Sequence, residues 1–248
     1  SASGKSVMGY DGALDVGDLD GDGIDDLIAG HYWRVNTATA TAYQGWAYLY
    51  YGDGTRITTA VSTSTADANW TGQAVQDNFA TSIRVLPDLD EDGLPELAFG
   101  AVGIDSPTTN AGNLLIWGGS ATRLSGAILP SSADLKIRGA SGSSLGTRVV
   151  GMEDMDGDGN SELAVSATAY TSAYSAYGGI FVYEAPLNLS AATLDYTDAD
   201  YGWESNAAAI LGTTLAGGDF DGDGLSDLVS QRANAGTNPY GAMIFLGE

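Results

Sequence analysis

One acidic nonapeptide, written four times at near-constant spacing, constrains this chain more tightly than any other feature of its 248 residues. The copies read DLDGDGIDD from Asp18 to Asp26, DLDEDGLPE from Asp88 to Glu96, DMDGDGNSE from Asp154 to Glu162 and DFDGDGLSD from Asp219 to Asp227. Their starts lie 70, 66 and 65 residues apart. Self-similarity at such a period marks a chain built from stacked copies of one supersecondary unit. The surroundings of each copy repeat as well. An apolar run follows each loop, from Leu27, Leu97, Leu163 and Leu228, and a second begins at Gly45, Gly112, Gly178 and Gly241. A stretch of small residues precedes each loop, from Tyr10, Ala80, Gly146 and Gly212. A looser fourth stretch recurs at Ala68–Gly72, Leu135–Arg138 and Tyr201–Glu204.

Each unit therefore reads strand, acidic loop, strand, longer loop, strand, turn, strand. The apolar runs have strand length and show no 3.6-residue stripe, so helix content should be close to nil. The 35 glycines, twice the usual share, suit many tight turns. A unit of this size with four antiparallel strands is a propeller blade, which buries its faces only against neighbouring blades. The expected fold is thus all-β: a β-propeller of four-stranded antiparallel blades, four blades per chain. One domain covers residues 1–248, with blades at 8–76, 77–143, 144–209 and 210–248, the last open to completion by residues 1–7.

Within each loop, carboxylates stand at positions 1, 3, 5 and 9 and glycine at position 6. They are Asp18, Asp20, Asp22 and Asp26; Asp88, Asp90, Asp92 and Glu96; Asp154, Asp156, Asp158 and Glu162; and Asp219, Asp221, Asp223 and Asp227. Alternate residues of a tight loop can turn their oxygens inward while glycine permits the bend. The position-7 carbonyls of Ile24, Leu94, Asn160 and Leu225 are candidate backbone ligands. Such an all-oxygen donor set suits Ca²⁺ better than Mg²⁺ or Zn²⁺, and four ions per chain are expected. An EF-hand is excluded. It needs a glutamate at position 12, where this chain has Ala29, Phe99, Val165 and Ser230.

Charge narrows the function classes. Asp and Glu number 32 against nine Lys and Arg, a net charge of -23. That field repels nucleic acid and anionic lipid, and no apolar run is long enough for membrane insertion. Cysteine is absent, which removes thiolate chemistry. His31 is the only histidine and no Gly-x-Ser-x-Gly elbow occurs, so a non-catalytic protein is expected.

The acidic loops, with Phe79-Ala80, Leu145-Gly146 and Leu211-Gly212 standing where a Phe-Gly pair is expected, resemble the FG-GAP repeats of integrin α-subunit propellers and their bacterial relatives. Ala29-Gly30 and Phe99-Gly100-Ala101 stand at the apolar-Gly segment. The resemblance covers nearly the whole chain. It implies calcium-stabilised blades, an extracellular, cell-surface or periplasmic location in a bacterium, and adhesion to a protein or glycan on a cell surface. The family usually closes seven blades and this chain carries four repeats. A homodimer closing an eight-bladed ring is the favoured arrangement, against a four-bladed ring or a piece of a longer propeller.

Antiparallel strands put the acidic loops and the third-to-fourth turns at one end of the units, and the second-to-third loops at the other. The latter carry His31, Tyr32, Trp33, Arg34 and Tyr43, then Tyr170, Tyr174 and Tyr177, then Asn234, Asn238 and Tyr240. Tyr32, Trp33, Tyr170, Tyr174 and Tyr240 are the candidate ligand-binding residues, because aromatic rings beside amides stack on sugars or anchor protein partners. Trp46, Trp117 and Tyr183 are expected in the core. The expected function is a calcium-binding recognition or adhesion module. The alternatives are a lectin-like propeller, a self-assembling scaffold, or an accessory domain of a surface enzyme.

Overall fold

The computed structural model describes residues 13–32, 43–55, 62–105, 107–171, 177–190, 192–205, 209–234 and 241–247. Among them the only helical segments are three short 3-10 turns, at Thr63–Thr65, Pro130–Ser132 and Tyr196–Asp198. Everything else regular is strand, as the absence of a helical stripe requires. No helix among the described residues is long and apolar enough to cross a membrane.

Four sheets follow one another along the chain. The first holds β1 (Leu14–Gly17), β2 (Asp26–Gly30), β3 (Trp46–Tyr50) and β4 (Ala68–Thr71), each antiparallel to the next. The second holds β5 (Phe79–Leu86), β6 (Glu96–Ala101), β7 (Asn113–Trp117) and β9 (Leu135–Arg138) in the same antiparallel order. The third holds β10 (Leu145–Met152), β11 (Glu162–Thr171), β12 (Tyr177–Glu184) and β14 (Tyr201–Glu204). In the fourth stand β15 (Ala209–Gly218), β16 (Asp227–Asn234) and β17 (Gly241–Phe245).

Two strands escape the repeat pattern. Between its third and fourth strands the second unit sends β8 (Gly126–Ile128) back to pair in parallel with β4 of the first sheet. The third unit does the same with β13 (Ala192–Asp195), which lies parallel to β9. Each of these straps joins one sheet to its predecessor by backbone hydrogen bonds. Both are short and weakly patterned, so the local sequence does not announce them.

Alternation along the strands builds three cores between consecutive sheets. In β6 and β7, Leu97, Phe99, Leu115 and Trp117 pack toward the first sheet, whereas Ala98, Leu114 and Ile116 pack toward the third. In β11 and β12, Leu163, Val165, Phe181 and Tyr183 face the second sheet, while Ala164, Ile180 and Val182 face the fourth. The bulky aromatics thus lie on the face turned to the preceding sheet. Trp70, fully buried, closes the first interface, with its ring 5.0 Å from Phe99 and 5.8 Å from Trp117. Trp117 and Tyr183 are core residues as expected, and Trp46 is half-buried.

The first strand of each later unit sits deepest. β5 packs on β1, β2 and β3; β10 on β5, β6 and β7; and β15 on β10, β11 and β12. Each of the three carries a bulge at the same place, between Phe79 and Ile83, Leu145 and Val149, and Leu211 and Leu215. The residues that open these bulges, Ala80, Gly146 and Gly212, all have positive φ, at 62°, 91° and 82°. They are the second members of the three dipeptides that match the Phe-Gly position of the repeat.

Candidate metal centres

Each acidic loop spans the gap between the first and second strands of its unit, and one hydrogen-bond scheme shapes all four. The position-1 carboxylate accepts from the position-6 glycine N–H, at 2.7 Å for Asp18 and Gly23, 2.9 Å for Asp88 and Gly93, 3.0 Å for Asp154 and Gly159, and 3.1 Å for Asp219 and Gly224. The position-5 carboxylate accepts from the position-7 N–H, as Asp92 does from Leu94. The position-9 carboxylate accepts from the position-2 N–H, as Glu96 does from Leu89 at 2.7 Å. The position-6 glycines hold φ between 84° and 97°, the left-handed bend that a side chain would resist.

The scheme gathers the remaining oxygens. Asp88, Asp90, Asp92 and Glu96 bring one carboxylate oxygen each to within 4.8 Å of one another, and so do Asp154, Asp156, Asp158 and Glu162. In the first loop the group is Asp18, Asp20 and Asp22; in the fourth it is Asp219, Asp221 and Asp227. Two unit charges 4 Å apart repel by about 4 kcal/mol at an effective dielectric of 20. Groups gathered at such close quarters could hold a metal ion.

The ninth residue divides the loops. Asp26 spends both oxygens on backbone donors, Leu19 N–H at 2.9 Å and Gly52 N–H at 2.8 Å. Asp227 does the same with Phe220 and Gly247. Glu96 and Glu162 reach one methylene further. Each gives Oε2 to a backbone N–H and leaves Oε1 buried without a hydrogen-bond partner. Desolvation by burial, reinforced by the neighbouring aspartates, pushes both carboxyls up to about 8. A buried carboxylate oxygen without a donor, facing three aspartates, matches what a hard divalent cation requires.

The first loop has a neighbour that the sequence pattern does not signal. Arg123, between β7 and β8, donates from Nε to Asp20 and from Nη2 to Asp22 Oδ2 at 2.8 Å. Its guanidinium lies 4.7 Å over the Tyr51 ring, and the Tyr51 hydroxyl accepts from Leu124 N–H at 2.8 Å. Arg123 stands six residues beyond Trp117 in Thr122-Arg123-Leu124. The same triplet type recurs as Thr55-Arg56-Ile57, six residues beyond Tyr50. That recurrence is the sequence signal for it. Arg56 lies outside the described residues.

Of the candidate ligand-binding aromatics, Trp33, Tyr174 and Tyr240 lie outside the described residues. Tyr32 is half-buried. Tyr170 is engaged within its own unit, its ring 5.5 Å from Phe181 and 5.6 Å from Tyr196, and its hydroxyl donates to Glu204 at 2.9 Å. Burial and that carboxylate push the phenol up to about 12. His31, expected on an exposed loop, is buried at 3% exposure beside the β2–β3 pair. The third-to-fourth connections do reach the acidic loops: Ser120 N–H donates to the Leu19 carbonyl and Leu187 N–H to that of Leu89.

The fold and loops define an all-β chain of repeated sheets with acidic turns, and its sequence is similar to integrin α chains. It is 30% identical to integrin alpha-V of Gallus gallus over 92 residues, covering 37% of this chain and 8% of that one. It is 28% identical to integrin alpha-7 of Homo sapiens over 174 residues, covering 67% of this chain and 13% of that one. The chain thus spans a small part of the curated relatives it matches. No protein-family model matches it.

Proposed function

We propose that the chain is a calcium-binding, non-catalytic recognition module of β-propeller type, its four sheets serving as blades of a ring. The observation that carries this reading is the pair of buried, unpartnered oxygens of Glu96 and Glu162, each facing three aspartates. Asp88, Asp90, Asp92 and Glu96 would hold one ion, and Asp154, Asp156, Asp158 and Glu162 another. The first and fourth loops would hold theirs through the aspartates at positions 1 and 3, with Asp22 added in the first and Asp227 in the fourth. Calcium would neutralise each loop and pin the turn between the first two strands of a unit. The similarity to integrin α chains supports a surface role, with a protein or glycan as partner.

A second reading, a glycan-binding module, draws on one cleft of about 420 Å³ lined by Met155, Asp156, Tyr201, Trp203 and Leu246. There the stacked rings of Tyr201 and Trp203 stand beside a carboxylate, a combination that suits a sugar.

Thermal unfolding in millimolar calcium and in EDTA tests the calcium reading. If calcium is present at about a hundred times the dissociation constant, each occupied site adds about 2.7 kcal/mol, so Tm should rise by several degrees or more. An unfolding curve indifferent to EDTA would sink the proposal.

A further inference from the structure

We propose that Arg123 is a built-in cation for the first acidic loop, so that this loop binds calcium more weakly than the second and third and does so only by displacing the guanidinium. The inference rests on the calcium reading above. Two carboxylates of the cluster, Asp20 and Asp22, are already paired with Arg123, and Asp20 is largely buried. The guanidinium is held by two further contacts, and the backbone beside it by a third. It lies over the Tyr51 ring, its Nη2 donates to the Gly52 carbonyl at 3.3 Å, and the adjacent Leu124 N–H is fixed by the Tyr51 hydroxyl. Tyr51 and Gly52 directly follow β3, and Gly52 N–H also donates to Asp26, the ninth residue of the same loop.

The other loops are built differently. No Lys or Arg among the described residues pairs with the second, third or fourth cluster. The comparison is closest at the second loop. The connection that reaches it is anchored by Leu187 to Leu89, as Ser120 anchors to Leu19 at the first. Three residues past that anchor stands Ser190 in place of Arg123, and it bonds Asn188 instead. A forked guanidinium spanning two carboxylates supplies charge at fixed geometry, and Ca²⁺ needs the same oxygens. The two cations are mutually exclusive. Because β8 follows Arg123 and straps the second unit to the first sheet, filling the first loop also releases a clasp between the two sheets.

Calcium titrations by calorimetry and equilibrium dialysis, on the wild type and on Arg123→Gln, test this. The wild type should show one site weaker than the tightest class by about tenfold or more, the loss expected when charge-assisted hydrogen bonds must be broken. Arg123→Gln should move that site into the tight class, a gain of one equivalent at limiting calcium. In arginine-labelled wild-type protein, the Arg123 Nε–H resonance should move only after the tight sites are full, a readout that needs no variant to fold. Equal numbers of tight sites in both proteins, or movement of that resonance with the first equivalents, overturns this inference alone. Binding of no calcium by either protein overturns the reading of the loops and this inference with it.

Discussion

Glutamate and aspartate differ by one methylene, and at the ninth loop position the glutamates keep one oxygen free of backbone donors while the aspartates do not. Asp26 and Asp227 are short enough to be clamped by two backbone donors, whereas Glu96 and Glu162 extend an unpartnered oxygen into the cluster. The consequence is a pH dependence of defined sign. In calcium-free protein the folded-state value of these glutamates, about 8, lies above the ordinary 4.5. Folding then takes up protons, so the stability they contribute is full below 4.5 and is lost as pH rises through 8. In EDTA, Tm should fall as pH rises across this window. Calcium should abolish the slope, because the ion replaces the proton. The double variant Glu96→Gln, Glu162→Gln should flatten the EDTA profile and lose most of the calcium response. A Tm in EDTA that climbs with pH over the window would contradict this account.

The bulged first strands carry the closest approaches between elements. Opposite Gly146 stands Gly100, and a Cβ added at Gly146 would meet the Asn113 carbonyl oxygen at 2.7 Å and Gly100 Cα at 3.0 Å. Gly212 faces Ser166 in the same way, and Ala80 faces Gly30. One small residue on each side lets the deepest strand of a unit sit on the second strand of its predecessor. Gly146→Ala should therefore destabilise by about 2 kcal/mol, combining a left-handed φ with overlap against backbone. Urea unfolding at fixed calcium measures it, and a loss below a few tenths would show that the sheets can shift apart without cost. The alternating apolar residues of β6, β7, β11 and β12 were legible in the sequence as strands. Their assignment to one face or the other was not, since an apolar run buried on both sides has no polar face to mark its phase.

At the scale of the whole molecule, contacts between sheets run in series, and among the described residues no strand of the first sheet packs substantially on the fourth. Both ends of the series show apolar surface. On β1, Asp15 accepts from Val85 N–H, so Leu14 and Val16, on the opposite face and each about half exposed, point away from the second sheet. In the last unit Phe220 of the acidic loop, Ile244 of β17 and Leu246 just beyond it are also about half exposed. The homodimer expected from the repeat count would place the last sheet of one copy on the first sheet of another, repeating the order of the interior interfaces. Two copies would then complete a ring of eight units. Light scattering in calcium should give a mass near 50 kDa, twice the 25.4 kDa of one chain. A mass near that of one chain would instead point to a four-unit ring or to a piece of a longer array. The sequence by itself determined the repeat, the strand order within a unit and the acidic positions of each loop, because these depend on residue type at short spacing. Only the tertiary structure decided that β8 and β13 strap neighbouring sheets, that a ninth-position glutamate leaves an oxygen unpartnered where aspartate does not, and that Arg123 pairs with the first loop. Each of those depends on groups far apart in the chain meeting across an interface, and no local pattern encodes which distant partner a side chain will find.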